Sequence, residues 1–511
     1  MMLKLILSLM LAGGAAAQPA PVPTVAAGDT LLLGLEEAIA IALEGSHFAR
    51  TLELNLAGSQ YEVEAARGRF GTQARLAVTA PDLQERVQGE TVPGELPRYD
   101  SYGSQEISAD LTLSQPLPTD GALSLTGRIF HREDTVYDNA TGADLEQKTM
   151  FNSIELSLDQ PLLEPNGLKL GLERAEISHR LSRRAFLRGQ LDLQYEVTSD
   201  FFALMRAQQE VVIARDALEQ QSANYDIARR KFEAGLIPEV ESLQMEVDLA
   251  EARNELLGRE SDLALAADMF RLTIGLAMER PVRVLDDLAA RPVEVDHEQA
   301  LRHALDHRTE LDDQRDGIRR AEITLEETDA RSQLRGELSA FYNLTGVSDP
   351  GLADPGLRDL IDSSWEDLRR RPGNRGVRLG FSVPIWDSGV NEAEVASAEV
   401  ALRRQELDGE NLRRSIRRQV QAALARLEAA QRRLDVLERS MDVAGRGYAI
   451  SQERFEMGEI TSQTLADNRD RLVQARRSFL TALVNHRLAV ADLRRQTLYD
   501  FEAQKSLVED R

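Results

Sequence analysis

The sequence predicts a mixed fold in which long coiled-coil helices alternate with short β-strand segments, the whole written as an internal two-fold repeat. Three observations carry this. Apolar residues recur every seven positions at Val197, Leu204, Val211, Leu218, Tyr225 and Phe232, and again at Val420, Leu427, Leu434, Met441, Tyr448 and Phe455. Strict alternation of apolar and polar residues marks strands, as at Ile107, Ala109, Leu111 and Leu113. The two heptad runs are separated by 448 − 225 = 223 residues, and other features repeat with them.

The 511 residues offer room for two or three domains. Lys and Arg number 61 against 85 Asp and Glu, a formal charge of −24 that repels nucleic acid and anionic lipid over most of the surface. Cysteine is absent, so disulfides, thiolate chemistry and a lipidated N-terminal cysteine are excluded.

Residues 1–17 read as an export signal: Lys4, the apolar run Leu5 to Ala12, and Ala15-Ala16-Ala17 before Gln18, where the mature protein is expected to begin. Beyond it no run reaches the roughly 18 apolar residues of a membrane helix, so any membrane span must be built of strands. The first repeat is assigned to 18–280, with a helix, strands at about 73–81, 106–116, 121–132 and 151–161, and a helical hairpin with its tip near 235–238. The second, 281–511, has a helix, strands at about 336–344 and 376–385, a hairpin with its tip near 458–462, and a tail.

Ala38, Ala42 and Leu43 match Ala300, Ala304 and Leu305 at an offset of 300 − 38 = 262. Leu76 still matches Leu338 at 262, whereas Pro161 matches Pro384 at 223, so the first repeat holds an insertion of 262 − 223 = 39 residues. Within it, Ser114-Gln115-Pro116-Leu117 foreshadows Asp159-Gln160-Pro161-Leu162, and the content reads as an added hairpin. The alternating runs fit either a half-buried sheet facing solvent or a barrel with lipid outside and water within. In a barrel, Trp386, Phe381 and Phe151 stand near strand ends, where aromatic rings prefer the headgroup level. From about Leu170 to Ala234 an uninterrupted helix would run on the order of 100 Å, too long for a globular core.

Catalytic chemistry is sparse. His303 and His307 have the i, i+4 spacing of a metal clamp, but no third ligand stands nearby and the stretch is highly charged, which favours a solvated helix. No phosphate loop or nucleophile elbow occurs, and Asn139-Ala140-Thr141 matters as a glycosylation site only in a eukaryotic secretory setting. No enzyme and no cofactor is expected.

The Glu36-Glu37-Ala38-Ile39-Ala40-Ile41-Ala42-Leu43 opening and its echo near residue 298, the strand ends Gln160-Pro161-Leu162 and Val383-Pro384-Ile385-Trp386-Asp387-Ser388-Gly389, and the Phe-x-x-Gly turns at Phe232 and Phe455 come in this order. In this arrangement the chain resembles the TolC-like outer-membrane efflux proteins. The resemblance implies a homotrimer whose chains share one transmembrane β-barrel and one long periplasmic α-helical tunnel, fed by an inner-membrane pump and a periplasmic adaptor. It places adaptor contacts at Gly235, Leu236 and Ile237 and at Gly458, Glu459 and Ile460, and acidic gate residues at Glu241 and Asp467, with Arg471 among contacts that could hold the gate closed. Thr464 stands where the family more often has an acidic residue. The family usually gives four strands per chain, twelve per trimer; six here would give eighteen, unless the added hairpin folds outside the wall. An exported structural or adhesive coiled-coil protein without transport activity is the alternative, and a soluble periplasmic binding protein would explain export but not the rods. The cargo, whether drug, metal, dye or protein, is not written in the sequence.

Overall fold

The computed structural model describes residues 30–90, 98–138, 143–285, 293–351 and 355–507. The export signal, its Gln18 junction and the Asn139-Ala140-Thr141 triplet lie outside the described residues. The chain divides into two compact units.

Among the described residues, one unit comprises 30–46, 196–285 and 432–488. Strand β1 (Leu31–Leu33) pairs in parallel with β6 (Val282–Val284). Helix α1 (Leu35–Gly45) follows, its entry fixed by the Glu37 carboxylate accepting the Gly34 N–H at 3.1 Å. The unit also holds the C-terminal part of α3 (Gly167–Glu233), all of α4 (Glu239–Ile274), the C-terminal part of α8 (Val390–Glu456) and most of α9 (Ser462–Thr497). Gly275 ends α4 in a left-handed conformation, φ +76°, and a Cβ there would stand 2.8 Å from the Gly45 carbonyl oxygen. Only glycine meets both demands. Val197 and Leu204 are fully buried, and Phe201 packs edge-on against Phe202 and Phe270.

The other unit comprises 47–195, 292–431 and 489–511. It contains α2 (His47–Gly68), α5 (His297–His307), α6 (Glu310–Ala330), α7 (Leu357–Arg370) and one antiparallel sheet. The sheet strands are β2 (Gln73–Glu90), β3 (Arg98–Pro116), β4 (Ala122–Asp138), β5 (Ala143–Leu162), β7 (Arg335–Val347) and β8 (Asn374–Ser382), hydrogen-bonded in the order β2-β3-β4-β5-β7-β8. A small hairpin of β9 (Tyr499–Asp500) and β10 (Lys505–Ser506) closes the chain. Ala300 and Ala304 of α5 pack on Ile416, Val420 and Leu427 of α8 and Leu493 of α9. His303 stacks on Tyr499, ring centroids 4.2 Å apart.

The repeat is visible in three dimensions. Helices α3 and α8 are both 67 residues and α4 and α9 both 36, each pair at an offset of 390 − 167 = 462 − 239 = 223. Helices α1 and α5 and strands β2 and β7 start 297 − 35 = 335 − 73 = 262 apart. Three features depart from the sequence reading. Strands β2, β3, β4 and β5 run well past the expected limits; in β2 the segment beyond Thr79 is dominated by Asp82, Gln84, Glu85 and Arg86, with Leu83 and Val87 as isolated apolar positions, so the alternating signal thins while the ladder continues through a register shift around Pro81. Helix α7 was not expected. The heptad residue Phe232 is 38% exposed while its counterpart Phe455 is 1% exposed, so the two seams are not equivalent.

Candidate functional site

Strand register assigns every sheet residue to a face. Val78, Ala109 and Ile129 lie in one cross-strand row, Leu76 and Leu111 in the next, Leu125 and Leu156 in another, and Leu338 faces Leu379. These belong to one apolar face, and most of its large side chains are exposed. The opposite face is charged and hydroxylated. Arg132 donates to Glu106 at 2.6 Å, Arg128 bridges Glu106 and Asp110, Thr112 meets Thr126, and Asn343 donates to Glu155 at 2.7 Å. The inserted pair β3 and β4 sits in the middle of this sheet, bonded to neighbours on both sides.

The repeated Gln-Pro dipeptides fasten the strand ends. Gln115 donates to the carbonyls of Phe70 and Pro116, and Gln160 to those of Thr119 and Pro161. Asp120, in the β3–β4 turn at φ +71°, accepts the N–H groups of Gly167 and Leu168 at 2.8 and 3.1 Å, capping α3. Helix α8 takes its cap from the residues just before it: Asp387 accepts from Asn391 and Gly389, and those N–H groups hold its carboxyl below the usual carboxylate range. The inserted hairpin thus anchors a helix as well as the sheet.

Of the three expected interfacial aromatics, Phe381 lies on the apolar face, covering Gly336, and Trp386 is 86% exposed just past β8. Phe151 lies on the charged face instead. Its position pairs with Phe130, the rings stacked at 4.7 Å with the guanidinium groups of Arg128 and Arg132 over Phe130. The one-residue parity of a strand decides this.

At the hairpin turns Gly235 and Gly458 are left-handed, φ +72° and +79°, and the N–H groups of Leu236 and Glu459 return to the carbonyls of Lys231 and Arg454. The two turns are brought together: Ile237 and Ile460 both pack on a cluster of Ala228, Met245, Tyr448, Phe455, Leu465 and Leu472. Leu236 stays exposed. Glu459 pairs with Arg454 at 3.1 Å. Glu241, in the first turn of α4, accepts from Ser462 at 3.3 Å, Asp467 accepts from Gln463 at 2.9 Å, and Arg471 turns to Asn468 rather than to Asp467. Thr464 bonds with Thr461.

Sequence reasoning missed a polar cleft of about 1080 Å³ walled by Arg180, Arg183, Arg184, Arg188, Arg308 and Arg495. Most of these arginines are engaged: Arg180 and Arg184 with Asp316, Arg188 with Asp313, Arg308 with Glu310 and Arg495 with Asp192. Burial pushes the Asp316 carboxyl up, but hydrogen bonds from Arg180 and Arg184 outweigh it and hold the group below the usual range.

A sequence model described as outer membrane efflux protein matches residues 130–275 and 300–497. No curated protein matches. Among solved structures, the chain is similar to a membrane protein from Pseudomonas aeruginosa (14% identity, TM-score 0.66, covering 91% of this chain and 92% of that one). It is also similar to the outer membrane protein VceC of Vibrio cholerae (14%, 0.64, 91% and 95%) and the CmeC outer membrane channel of Campylobacter jejuni (12%, 0.66, 93% and 87%). At these identities the likeness is one of fold.

Proposed function

The chain belongs to the outer membrane efflux protein family, and from that premise we propose that three copies join their six-stranded sheets into one barrel of 3 × 6 = 18 strands. The family function is that of an outer-membrane efflux channel with a periplasmic helical extension, working with adaptor proteins and inner-membrane pumps, and not that of an enzyme. A purely structural or adhesive coiled-coil role leaves the family match unexplained.

The observation that carries the barrel is the six-stranded sheet with one mostly apolar and largely exposed face and one charged face, ending in two edges, β2 and β8, that have no further strand among the described residues. Consecutive neighbours in it are antiparallel, so its six strands end on an edge that runs opposite to the first. Strand β8 of one copy can therefore meet β2 of the next in the same antiparallel sense, and lipid covers the apolar rows while water fills the lumen. Each chain is read as two fused repeats, 18–280 and 281–511, with the hairpin turns as the adaptor contact. In this reading Glu241 and Asp467 form acidic rings at the closed end, brought together by threefold symmetry, with closure against their repulsion held by an Arg471 contact formed only in the trimer or by bound cations. Trp386 and Phe381 are the rings expected at the lipid boundary.

Because the chain has no cysteine, edge closure is directly testable. Cysteines placed at Ala74, Leu76 or Val78 together with Leu379→Cys lie on one face of the two edges. Oxidation in native membranes should yield covalent species ending at three chains. Failure of every pair to crosslink, or a ladder that stops at two, refutes the barrel.

A further inference from the structure

We propose that the arginines at the junction of α7 and β8 bind the phosphate groups of an anionic lipid in the outer leaflet, a site that rests on the barrel reading above. The sequence between Leu368 and Asp387 contains Arg369, Arg370, Arg371, Arg375 and Arg378 and no carboxylate, in a chain whose formal charge is −24. Such a local reversal of sign attracts anions.

The structure places it at the border of the apolar face. Helix α7 lies against that face: a Cβ on Gly346 would be 2.1 Å from the Ser364 carbonyl oxygen and 2.7 Å from Leu368 Cβ. Gly346 pairs with Asn152, Asn152 with Ile129, Ile129 with Ala109 and Ala109 with Val78, a row of the apolar face in which Asn152 donates to Ser364 of α7. Strand β7 enters from α6 and β8 leaves toward α8, so α7 stands at the end of the sheet opposite the long helices. In the barrel that end is the outer one. Arg375 pairs with Tyr342, on the same face as Leu156, and the Tyr342 hydroxyl would be 2.8 Å from a Cβ on Gly373. A tyrosine whose ring faces the apolar rows and whose hydroxyl reaches the polar turn marks a lipid interface. Arg378 pairs with Ser339 on the charged face and takes no part.

The charges are only partly neutralised. Arg370 pairs with Glu366, and Arg371 with Asp367 at 2.7 Å. Asp367 also accepts the Val347 N–H at 2.9 Å, which ties Arg371 to the strand end. Arg369 and Arg375 are exposed and have no carboxylate partner among the described residues. A guanidinium offers a planar fork of donors that fits phosphate oxygens two at a time. Beside an apolar wall, the phosphate that fits is one carried on acyl chains.

The test uses the full-length protein with Trp386→Phe, leaving Trp365 of α7 as the single tryptophan reporter. It is titrated in detergent with bis-phosphorylated lipid A, with the dephosphorylated lipid, and with inorganic phosphate. Only the phosphorylated lipid should saturate the Trp365 signal. Arg369→Gln with Arg375→Gln should raise its half-saturation by about thirtyfold, at roughly fivefold per surface arginine. Equal binding of the dephosphorylated lipid, an equal response to inorganic phosphate, or unchanged affinity in the double variant overturns the proposal. The double-cysteine variants described above are oxidised in native membranes and scored in parallel. Crosslinked trimers without phosphate dependence defeat this site alone, and absent trimers defeat the barrel.

Discussion

Replacing Asp316 by alanine tests how α6 is held against α3. Among the described residues Leu170, Ile177 and Ile323, with Leu181 packed against them, form a small apolar cluster there, and beside it runs a ladder of ion pairs: Arg319 to Glu173, Arg174 to Glu327, Arg180 and Arg184 to Asp316, and Arg184 and Arg188 to Asp313. Asp316 is its most buried carboxylate, accepting from Arg180 at 2.6 Å and Arg184 at 2.8 Å. Removing one partner of a buried pair costs about 3–5 kcal/mol. Arg180 is about half exposed and Arg184 keeps Asp313, so we expect about 2–3 kcal/mol here. Backbone amides of 310–330 should then exchange with deuterium about 30- to 150-fold faster at pH 7, read by mass spectrometry of the intact protein. The acid response follows the same carboxyl. Its folded pKa lies below the ordinary 3.8, so its stabilisation is present above about pH 4 and disappears as pH falls through the lowered value. The variant should lack that part of the acid sensitivity. A change in exchange below threefold would show that the ladder is ornamental and that helix packing elsewhere holds α6.

Three further outcomes are expected. Gly346→Ala forces a methyl to within 2.1 Å of the Ser364 carbonyl, so α7 must shift by more than about 1 Å at a cost of about 1–3 kcal/mol, and trypsin should cut after Arg369 and Arg370 about tenfold faster; an unchanged cleavage rate refutes the close approach. Leu236→Glu changes an exposed side chain, so trimer stability should hold within about 0.5 kcal/mol while efflux in cells is lost, and normal efflux would remove the turn from the adaptor contact. Glu241→Gln with Asp467→Asn should lower cation preference and weaken divalent block in single-channel recordings, whereas identical reversal potentials would leave both as ordinary surface carboxylates.

By itself the sequence determined the long helices, their turns, the six strands and the repeat with its insertion, because each is a local signal. A seven-residue period broken at Gly235 and Gly458 marks a long helical hairpin wherever it stands, and alternation specifies a strand without naming its neighbour. Only tertiary structure decided that β3 and β4 enter the middle of the sheet, since pairing is a choice among edges that periodicity does not encode. It also turned Phe151 onto the charged face, carried Asp120 from the inserted hairpin to the start of α3, 167 − 120 = 47 residues away, and laid α7 over Gly346. Each of these is a contact between residues distant in the chain, settled by where backbones meet, and a linear pattern records only what neighbours in sequence must do.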